Sequence, residues 1–313
     1  MRILITGGSG YLGGRIAKYL AYNKYDVTLV SRKGNLTNNV VDNVKKLCID
    51  WNSSEGVQKI CNEIDVIIHC AGMSAMESKK NPLLALKVKK ELTGKIVEST
   101  NNSRVKKIIY LSSCHVYHEN LEGTFLETSD TLNTHPYAIA HRAAEDILLK
   151  CNNKEDVSIF ILRLSNIVGA PLNKDVNCWS LIANDLCRQI ISNKKIVIKN
   201  NPAEMRDFVS MSNLCIAIEK IIQSKKFRQG IYNFSSNKSL TILEIAEKIQ
   251  SRCLHILKFS PDIIIKTEET KKLPLLIENK KISRHIHKID SIIDDEIDEL
   301  LTFCHENQQH IPS

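Results

Sequence analysis

A tyrosine and a histidine stand one helical turn apart near the middle of the chain. Pro136 is typical of a helix start, and Ala-rich sequence continues the helix to Asp146. Tyr137 and His141 are therefore expected on one helix face, because residues four apart are neighbours on a helix surface. A phenol can give and take a proton, and a basic side chain beside it can act with it. The spacing predicts that a tyrosine and a basic side chain can act together there.

A glycine-rich turn stands near residue 1. A predicted strand at 2–5 runs directly into Thr-Gly-Gly-Ser-Gly-Tyr-Leu-Gly at 6–13, and a helix follows. Gly7, Gly10 and Gly13 allow positive φ and close approach of a diphosphate, which the N–H groups of the helix start would face. An ordinary tight turn is the alternative. The position between a first strand and a first helix favours a dinucleotide-binding turn.

These residues need a sheet that positions them. Short β-rich apolar runs alternate with segments of helical period through the first half of the chain. Because parallel neighbours need long return connections, the alternation predicts an α/β fold with a Rossmann-type, doubly wound parallel sheet. The predicted strands are 3–6, 27–30, 46–49, 66–70, 107–111 and 158–164.

The alternation loosens after residue 166, which indicates a smaller α/β substrate-binding lobe. We predict a dinucleotide-binding domain over 1–165 and a substrate-binding lobe over 166–313, interleaved with the first domain. The elements predicted in the lobe are a helix at 179–191, a strand at 195–199, an Arg-Asp-Phe-Val segment at 206–209, helices at 213–222 and 241–249, and an exposed loop at 266–272.

Composition and charge narrow the class of protein. The 313 residues are 43% hydrophobic and 25% charged, which is typical of a folded globular protein. The net charge of +8 comes from separated basic doublets, so no nucleic-acid partner is expected. No apolar stretch has the length of a membrane span or signal peptide, so we expect a cytoplasmic protein. Ten scattered cysteines without a Cys-x-x-Cys pair favour buried free thiols and no metal site.

The glycine turn resembles that of one family. Its spacing is similar to the TGxxGxxG turn of the extended short-chain dehydrogenase/reductases, the NAD(P)-dependent nucleotide-sugar epimerase/dehydratase family, and further segments agree in order over almost the whole chain. These segments are 69–72 (strand end beside the cofactor), 111–117 (catalytic Ser/Thr), 136–141 (YxxxK helix), 163–169 (nucleotide-sugar segment), 206–209 (RDF element) and 231–234 (following strand).

The resemblance implies catalytic roles for Tyr137, Ser113 and His141. The tyrosine is the general acid/base at a sugar hydroxyl or carbonyl, and the serine hydrogen-bonds the same oxygen. In the family a lysine one turn after the tyrosine lowers its pKa and holds the nicotinamide ribose, and here His141 stands in that place. An unperturbed histidine, with a pKa of about 6.5, is mostly neutral at neutral pH. Tyr137 is therefore expected to keep its proton, which suits reduction of a ketone.

The resemblance also implies a nucleoside-diphosphate sugar as substrate. Asn166 and Arg206 are expected to hold its diphosphate, and the hexose would be turned toward Tyr137. An arginine fork suits phosphate oxygens. The alternative for Arg206 is a pair with Asp207 or another neighbouring carboxylate.

Four more residues are candidates for the substrate pocket. Cys114 and His115 stand beside Ser113, and the alternative for both is packing at a strand end. Asn177 and Trp179, placed at the start of a second-lobe helix, fall where the family lines its sugar pocket, although Trp179 also suits the core.

The end of the second predicted strand bears on the choice of nicotinamide cofactor. An NAD-preferring protein usually places Asp or Glu there, whereas this chain has Ser31, Arg32 and Lys33, which suit a 2′-phosphate. NADP is therefore favoured, with NAD possible. Asp50 resembles the family residue near the adenine ring, and a loop cap is the equal alternative. The full set of expected cofactor contacts is Gly7, Gly10, Tyr11, Leu12, Ser31, Arg32, Asp50, Ala71, Gly72, Tyr137 and His141.

Two more positions depart from the family pattern. Lys89 stands where asparagine is common, and His118 stands where glycine is usual. Because Lys87, Lys89 and Lys90 together are typical of a solvated helix face, we predict that Lys89 is exposed. A displaced cation is the alternative.

The leading functional prediction is NADPH-dependent reduction of a 4-keto nucleotide sugar, with Tyr137 as proton donor. The alternatives are a nucleotide-sugar epimerase or dehydratase with tightly bound NAD(P), and a non-catalytic dinucleotide-binding protein that lost its chemistry through the change to His141. Helices around 83–100 and 137–151 often pair across a two-fold axis in the family, so a homodimer is expected. Such enzymes commonly serve carbohydrate biosynthesis.

Overall fold

The chain forms two compact units. The computed structural model describes residues 1–31, 44–49, 54–101, 103–151, 157–268, 270, 273–286 and 293–310. Unit 1 comprises Met1–Glu119, Ser129–Leu164 and Cys215–Tyr232, and unit 2 comprises Asn120–Thr128, Ser165–Leu214 and Asn233–Ser313. Each unit is therefore built from segments that are distant in sequence.

The strands, in chain order, are short. They are β1 (Arg2–Thr6), β2 (Asp26–Ser31), β3 (Lys45–Cys48), β4 (Val66–His69), β5 (Lys107–Ser113), β6 (Gly123–Phe125), β7 (Ser158–Leu164), β8 (Asn166–Val168), β9 (Lys195–Ile198), β10 (Met205–Ser210), β11 (Gly230–Phe234), β12 (Ser239–Thr241), β13 (Asp262–Ile265) and β14 (Leu275–Ile277).

The helices alternate with these strands. They are α1 (Tyr11–Tyr22), α2 (Ser54–Cys61), α3 (Ala75–Lys80), α4 (Pro82–Ser99), α5 (Pro136–Cys151), α6 (Ile182–Asn193), α7 (Met211–Gln223), α8 (Ile242–Leu257), α9 (Lys280–Ser283) and α10 (Ile293–Glu306), with short 3₁₀ turns at Cys114–Val116 and Gln308–His310. Among the described residues, no helix combines the length and apolar character that a membrane span requires.

The large sheet has the strand order β11-β7-β5-β4-β1-β2-β3. All neighbouring pairs from β7 to β3 are parallel. The chain builds outward from β1 to β3 and then returns to β4 on the other side of β1, so the order reverses between β1 and β4. In open α/β sheets, ligands bind at the carboxyl ends of the strands at such a reversal.

The predicted fold class is confirmed. All six predicted strands occur, and all lie in the large sheet. The central strands are runs of Ile, Val and Leu that are buried along almost their whole length, the pattern of a parallel sheet covered by helices. The ten cysteines are free thiols, and most of them are buried.

Unit 2 contains a three-stranded sheet of order β12-β10-β8 and the two-stranded pairs β13-β9 and β14-β6. Helices α6, α8 and α10 pack on one another. Helix α8 begins after Thr241, which forms a capping box with Glu244. It continues past the predicted end at 249 because Ile249 and Cys253 extend its buried stripe.

Candidate active site

The glycine turn between β1 and α1 has the backbone that its sequence predicts. Gly7 has φ +71°, and a Cβ there would lie 2.8 Å from the Cα of Ala71. A Cβ on Gly13 would lie 2.4 Å from the carbonyl oxygen of Gly7. The turn is closed by a hydrogen bond from the Gly10 N–H to the same oxygen, at 2.9 Å. Glycine is therefore required at positions 7 and 13 by the turn and its packing against the chain after β4.

The start of α1 suits an anion. Its N-cap residue, Gly10, provides no side-chain cap, and the first turn of α1 contains no acidic residue. A Cβ on Gly10 would meet only the Gly7 carbonyl oxygen, at 3.2 Å, and would otherwise point into open space. N–H groups at a helix start that lack a side-chain cap are a ready site for phosphate oxygens. The residues present therefore fit a dinucleotide diphosphate.

Tyr137 and Ser113 meet at the end of β5. Tyr137 lies in the first turn of α5 and is half-buried, and Ser113 is the last residue of β5. Burial, partly offset by a hydrogen bond with Ser113, raises the pKa of Tyr137 to about 12. The Ser113 hydroxyl also accepts a hydrogen bond from the His115 N–H at 3.2 Å. The pair combines a protonated phenol with a second hydroxyl.

His141 is a buried, uncharged ring. Its Nδ1 atom lies 2.8 Å from the Tyr110 hydroxyl, and its ring centroid lies 4.4 Å from that of Tyr137. Burial, together with the positive charge of Lys89, lowers the pKa of His141 well below its usual value. The expected neutral state of His141 agrees with this environment, so the ring brings no positive charge to Tyr137.

Lys89 is buried, and the prediction of a solvated side chain was wrong. Its side chain points inward from α4, whereas Lys87 and Lys90 are exposed. The Lys89 ammonium donates a hydrogen bond to the Ala71 carbonyl oxygen at 2.7 Å and lies 5.1 Å from the centroid of the Tyr110 ring. Burial lowers the pKa of Lys89 to about 8. A cation therefore stands beside the chain that follows β4.

A chain of hydrogen bonds ties Lys89 to the glycine turn. The Thr93 hydroxyl donates to the Lys89 carbonyl oxygen at 2.7 Å, so Nε2 of His69 must be the donor across its 3.2 Å contact with Thr93. Nδ1 of this neutral ring then accepts from the Thr6 hydroxyl at 2.7 Å, and Thr6 accepts from the Ala71 N–H at 3.3 Å. The position of α4 is thereby fixed relative to β1 and β4.

A buried ion pair, which the sequence analysis missed, anchors α5 on the sheet. The Glu145 carboxylate accepts from Arg163 at 2.6 Å and from the Ser112 hydroxyl at 2.5 Å. Glu145 follows His141 and Tyr137 at intervals of four residues. This four-residue spacing was the signal in the sequence that could have identified Glu145, since it places all three residues on one helix face.

Other expected cofactor contacts are partly described. Tyr11 and Leu12, both half-buried, begin α1 behind the glycine turn. Ser31 is buried at the end of β2, and Gly72 is exposed just after Ala71. Arg32, Lys33 and Asp50 lie outside the described residues.

In unit 2, the polar residues expected to bind a diphosphate have partners within the protein. The Asn166 amide donates to the Asp207 carbonyl oxygen at 2.9 Å, and Arg206 forms an ion pair with Glu204. Arg206 and Glu204 line a small pocket together with Glu122. Arg206 therefore has the alternative arrangement, a pair with a neighbouring carboxylate.

The remaining pocket candidates differ in exposure. Cys114 is buried in the 3₁₀ turn after β5, and His115 beside it is half-buried. Asn177 is exposed and Trp179 is buried. Helix α6 begins at Ile182, so the helix start predicted at 179 was three residues too early, and both residues precede the helix.

A doubly wound parallel sheet, a glycine turn after its first strand and a Tyr–Ser pair at the end of β5 define a protein of the extended short-chain dehydrogenase/reductase type. The model of the NAD dependent epimerase/dehydratase family matches residues 3–234. The chain therefore belongs to that family.

Relatives of known name agree with this assignment. The chain is 27% identical over 274 residues to the probable UDP-arabinose 4-epimerase 3 of Arabidopsis thaliana, with 78% of this chain and 67% of the relative covered. It is 23% identical over 255 residues to the putative UDP-glucose 4-epimerase of Methanocaldococcus jannaschii, with 79% and 81% covered. The chain spans about two thirds of the length of the plant relatives it matches.

Solved structures share the fold. The UDP-N-acetylglucosamine 4-epimerase of Methanobrevibacter ruminantium, in complex with UDP-N-acetylmuramic acid, superposes with a TM-score of 0.82 at 22% identity over 98% of each chain. The UDP-glucuronic acid 4-epimerase of Bacillus cereus, in complex with UDP-glucuronic acid and NAD, superposes with a TM-score of 0.80 at 19% identity, covering 98% and 99% of the two chains.

Proposed function

We propose that this protein is an NAD-dependent 4-epimerase of a UDP-linked sugar. The observation that carries the proposal is the hydrogen-bonded pair of Tyr137 and Ser113 in the unit that contains the glycine turn. The names of the relatives support the sugar chemistry, since they include UDP-arabinose and UDP-glucose 4-epimerases. NAD as cofactor is supported by the solved epimerase structures that contain it.

The proposed chemistry needs a group that can both accept and donate a proton at the C4 oxygen of the sugar. When bound, NAD supplies an acceptor that takes a hydride from C4 of the sugar and can return it. Tyr137 is protonated in the ligand-free protein, so the first step requires that it lose this proton. The phenolate would then take the proton of the C4 hydroxyl while the C–H electron pair leaves as hydride, and the phenol would give a proton back when the C4 ketone is reduced from its other face. Ser113 would donate a hydrogen bond to the same oxygen in both steps.

Reduction of a 4-keto sugar with NADPH, preferred from the sequence alone, is the second candidate. Its support is the protonated Tyr137, which suits a proton donor, and the run Ser31-Arg32-Lys33, of which Ser31 alone lies within the described residues. The named relatives are epimerases and dehydratases, which favours the epimerase. A dinucleotide-binding protein without activity is the third candidate, based on His141.

The substrate contacts are part of the proposal. Asn166 and Arg206 would hold the diphosphate, with Asn177, Cys114 and His115 as further contacts. For Arg206, binding would require the guanidinium to exchange Glu204 for phosphate oxygens, and the planar fork matches the geometry of either partner.

We also propose a cytoplasmic homodimer that serves carbohydrate biosynthesis. Support for the dimer comes from Met76, Leu83 and Leu84, large apolar side chains that are 50–85% exposed on α3 and at the start of α4. Light scattering on the purified protein gives the mass in solution, and a monomer at micromolar concentration would contradict the dimer.

The test is conversion of UDP-arabinose or UDP-glucose in the presence of NAD, followed by NMR of the C4 proton and by NADH absorbance. An epimerase yields a mixture of C4 epimers with no net NADH. The proposal fails if neither sugar nucleotide changes, or if turnover consumes NADPH with a 4-keto sugar only.

Two variants assign the chemistry. Tyr137→Phe should lower turnover by about 10²–10⁴-fold, because general acid/base catalysis contributes that much. The matched control, Tyr22→Phe, changes an exposed tyrosine and should have wild-type activity.

A further inference from the structure

We propose that Lys89 is a cofactor-binding residue, whose ammonium group holds the hydroxyls of the ribose that carries the nicotinamide of NAD. The inference rests on the proposed function, because it requires NAD to bind along the ends of β1, β4 and β5. It assigns the positive charge of the site to α4, whereas the family's pattern would place it at residue 141 of α5.

The strand order gives the first argument. The glycine turn follows β1, Ser113 ends β5, and β4 lies between these two strands. Adjacent strands are about 4.8 Å apart, so the ends of β1 and β5 are separated by about 10 Å. The diphosphate of a bound dinucleotide would lie at the turn, and its reactive ring would lie at Ser113. The ribose that joins these two groups must therefore lie at the end of β4.

Lys89 lies at that point. Its Nζ atom is 2.7 Å from the carbonyl oxygen of Ala71, shortly after the end of β4. A Cβ added to Gly72 would lie 2.5 Å from the same Nζ. The chain here also packs against the glycine turn, since a Cβ on Gly7 would touch Ala71. The ammonium is therefore adjacent to the path between diphosphate and nicotinamide.

The bonding of Lys89 is incomplete within the described residues. An ammonium has three donors, and the Ala71 carbonyl oxygen accepts one of them. The Tyr110 ring provides a cation–π contact. The ion pairs of the described residues include none with Lys89, and the Glu145 carboxylate, whose charge acts on Tyr110, is paired with Arg163. A buried cation without a counter-ion is unfavourable, so acceptors such as a ribose diol would complete its shell.

The groups around Lys89 are neutral at neutral pH. His69 on β4 and His141 on α5 have pKa values lowered well below the usual range by burial and by the charge of Lys89. Tyr110 on β5 and Cys70 have pKa values raised by burial. Lys89 is thus the positive charge of this cluster, and the cluster does not supply the missing anion.

The test compares three ligands on the apo protein by isothermal titration calorimetry. NAD and ADP-ribose both contain the second ribose, whereas ADP contains only the diphosphate and the adenosine. Lys89→Met should lower the affinity for NAD and for ADP-ribose by about 10-fold or more, because hydrogen bonds to a charged group contribute that much. The affinity for ADP should stay within about 2-fold of wild type. The control is Lys90→Met, an exposed lysine on the same helix, which should leave all three affinities unchanged.

Each outcome has one meaning. If Lys89→Met and wild type bind NAD with equal affinity, the inference is overturned and the proposed function is not. The same holds if Lys89→Met loses as much affinity for ADP as for NAD, because that result would place the ammonium at the diphosphate. Failure of the wild-type protein to bind NAD overturns the proposed function together with the inference. A purely structural role predicts a lower melting temperature of the apo Lys89→Met variant, whereas removal of an uncompensated buried charge predicts an equal or higher one.

Discussion

The Tyr110 hydroxyl lies 2.8 Å from Nδ1 of His141, and this contact joins the middle of β5 to the helix that carries Tyr137. Both side chains are buried, and neither is charged at neutral pH. His141 therefore contributes to the position of α5 by hydrogen bonding and ring packing. The charge that a lysine would bring at residue 141 is absent there.

Tyr110→Phe should lower the free energy of unfolding by about 1–3 kcal/mol, because it leaves Nδ1 of His141 buried without its partner. Urea unfolding followed by circular dichroism measures the change. Tyr22→Phe removes a hydroxyl from an exposed tyrosine and is the matched control, with an expected change below about 0.5 kcal/mol. If both variants match wild type, the hydrogen bond does not contribute to the position of α5.

Glu145→Ala should be the more damaging change on the same helix. It leaves the Arg163 guanidinium buried without its carboxylate, which costs about 3–5 kcal/mol. Glu91→Ala, which breaks a 3.8 Å pair between exposed side chains on α4, should change stability by less than about 0.5 kcal/mol. Thermal unfolding of the two variants separates them. Equal melting temperatures would show that the buried pair does not anchor α5.

Sequence patterns predicted the parallel sheet and the glycine turn, because alternating apolar runs and glycine spacing are local signals, whereas the Tyr137–Ser113 pair was expected from the family resemblance. They failed at Lys89, where three nearby lysines indicated a solvated face. The helical period held the correct signal: Ala85, Lys89, Thr93 and Ile96 form one buried stripe of α4. Partners such as Arg163 for Glu145 come from a distant strand, so no local pattern could name them.

Lys89 should make the stability of the apo protein vary with pH in the alkaline range. Its pKa falls from 10.5 when unfolded to about 8 when folded, so between these values the unfolded state binds more protons and stability rises with pH. The shift corresponds to roughly 3 kcal/mol at most. Lys89→Met should therefore be more stable than wild type at pH 7, with a difference that shrinks toward pH 10.

Urea unfolding of both proteins at pH values from 7 to 10 measures this difference directly. Other lysines and tyrosines titrate in the same range, but they are present in both proteins and cancel in the comparison. A Lys89→Met variant that is less stable than wild type at pH 7 would mean that the hydrogen bond to Ala71 outweighs the penalty of burial.

Gly13→Ala and Gly94→Ala form a pair that tests the glycine turn. A Cβ at residue 13 would lie 2.4 Å from the Gly7 carbonyl oxygen, so the turn must shift, at a cost of about 1–3 kcal/mol, and NAD affinity should fall. At residue 94, inside α4, a Cβ meets nothing within 4 Å, so alanine should stabilise the helix by about 0.5–1 kcal/mol and leave NAD affinity unchanged. Calorimetric titration with NAD and thermal unfolding of both variants measure these effects. Unchanged affinity in Gly13→Ala would mean that the turn does not hold the dinucleotide.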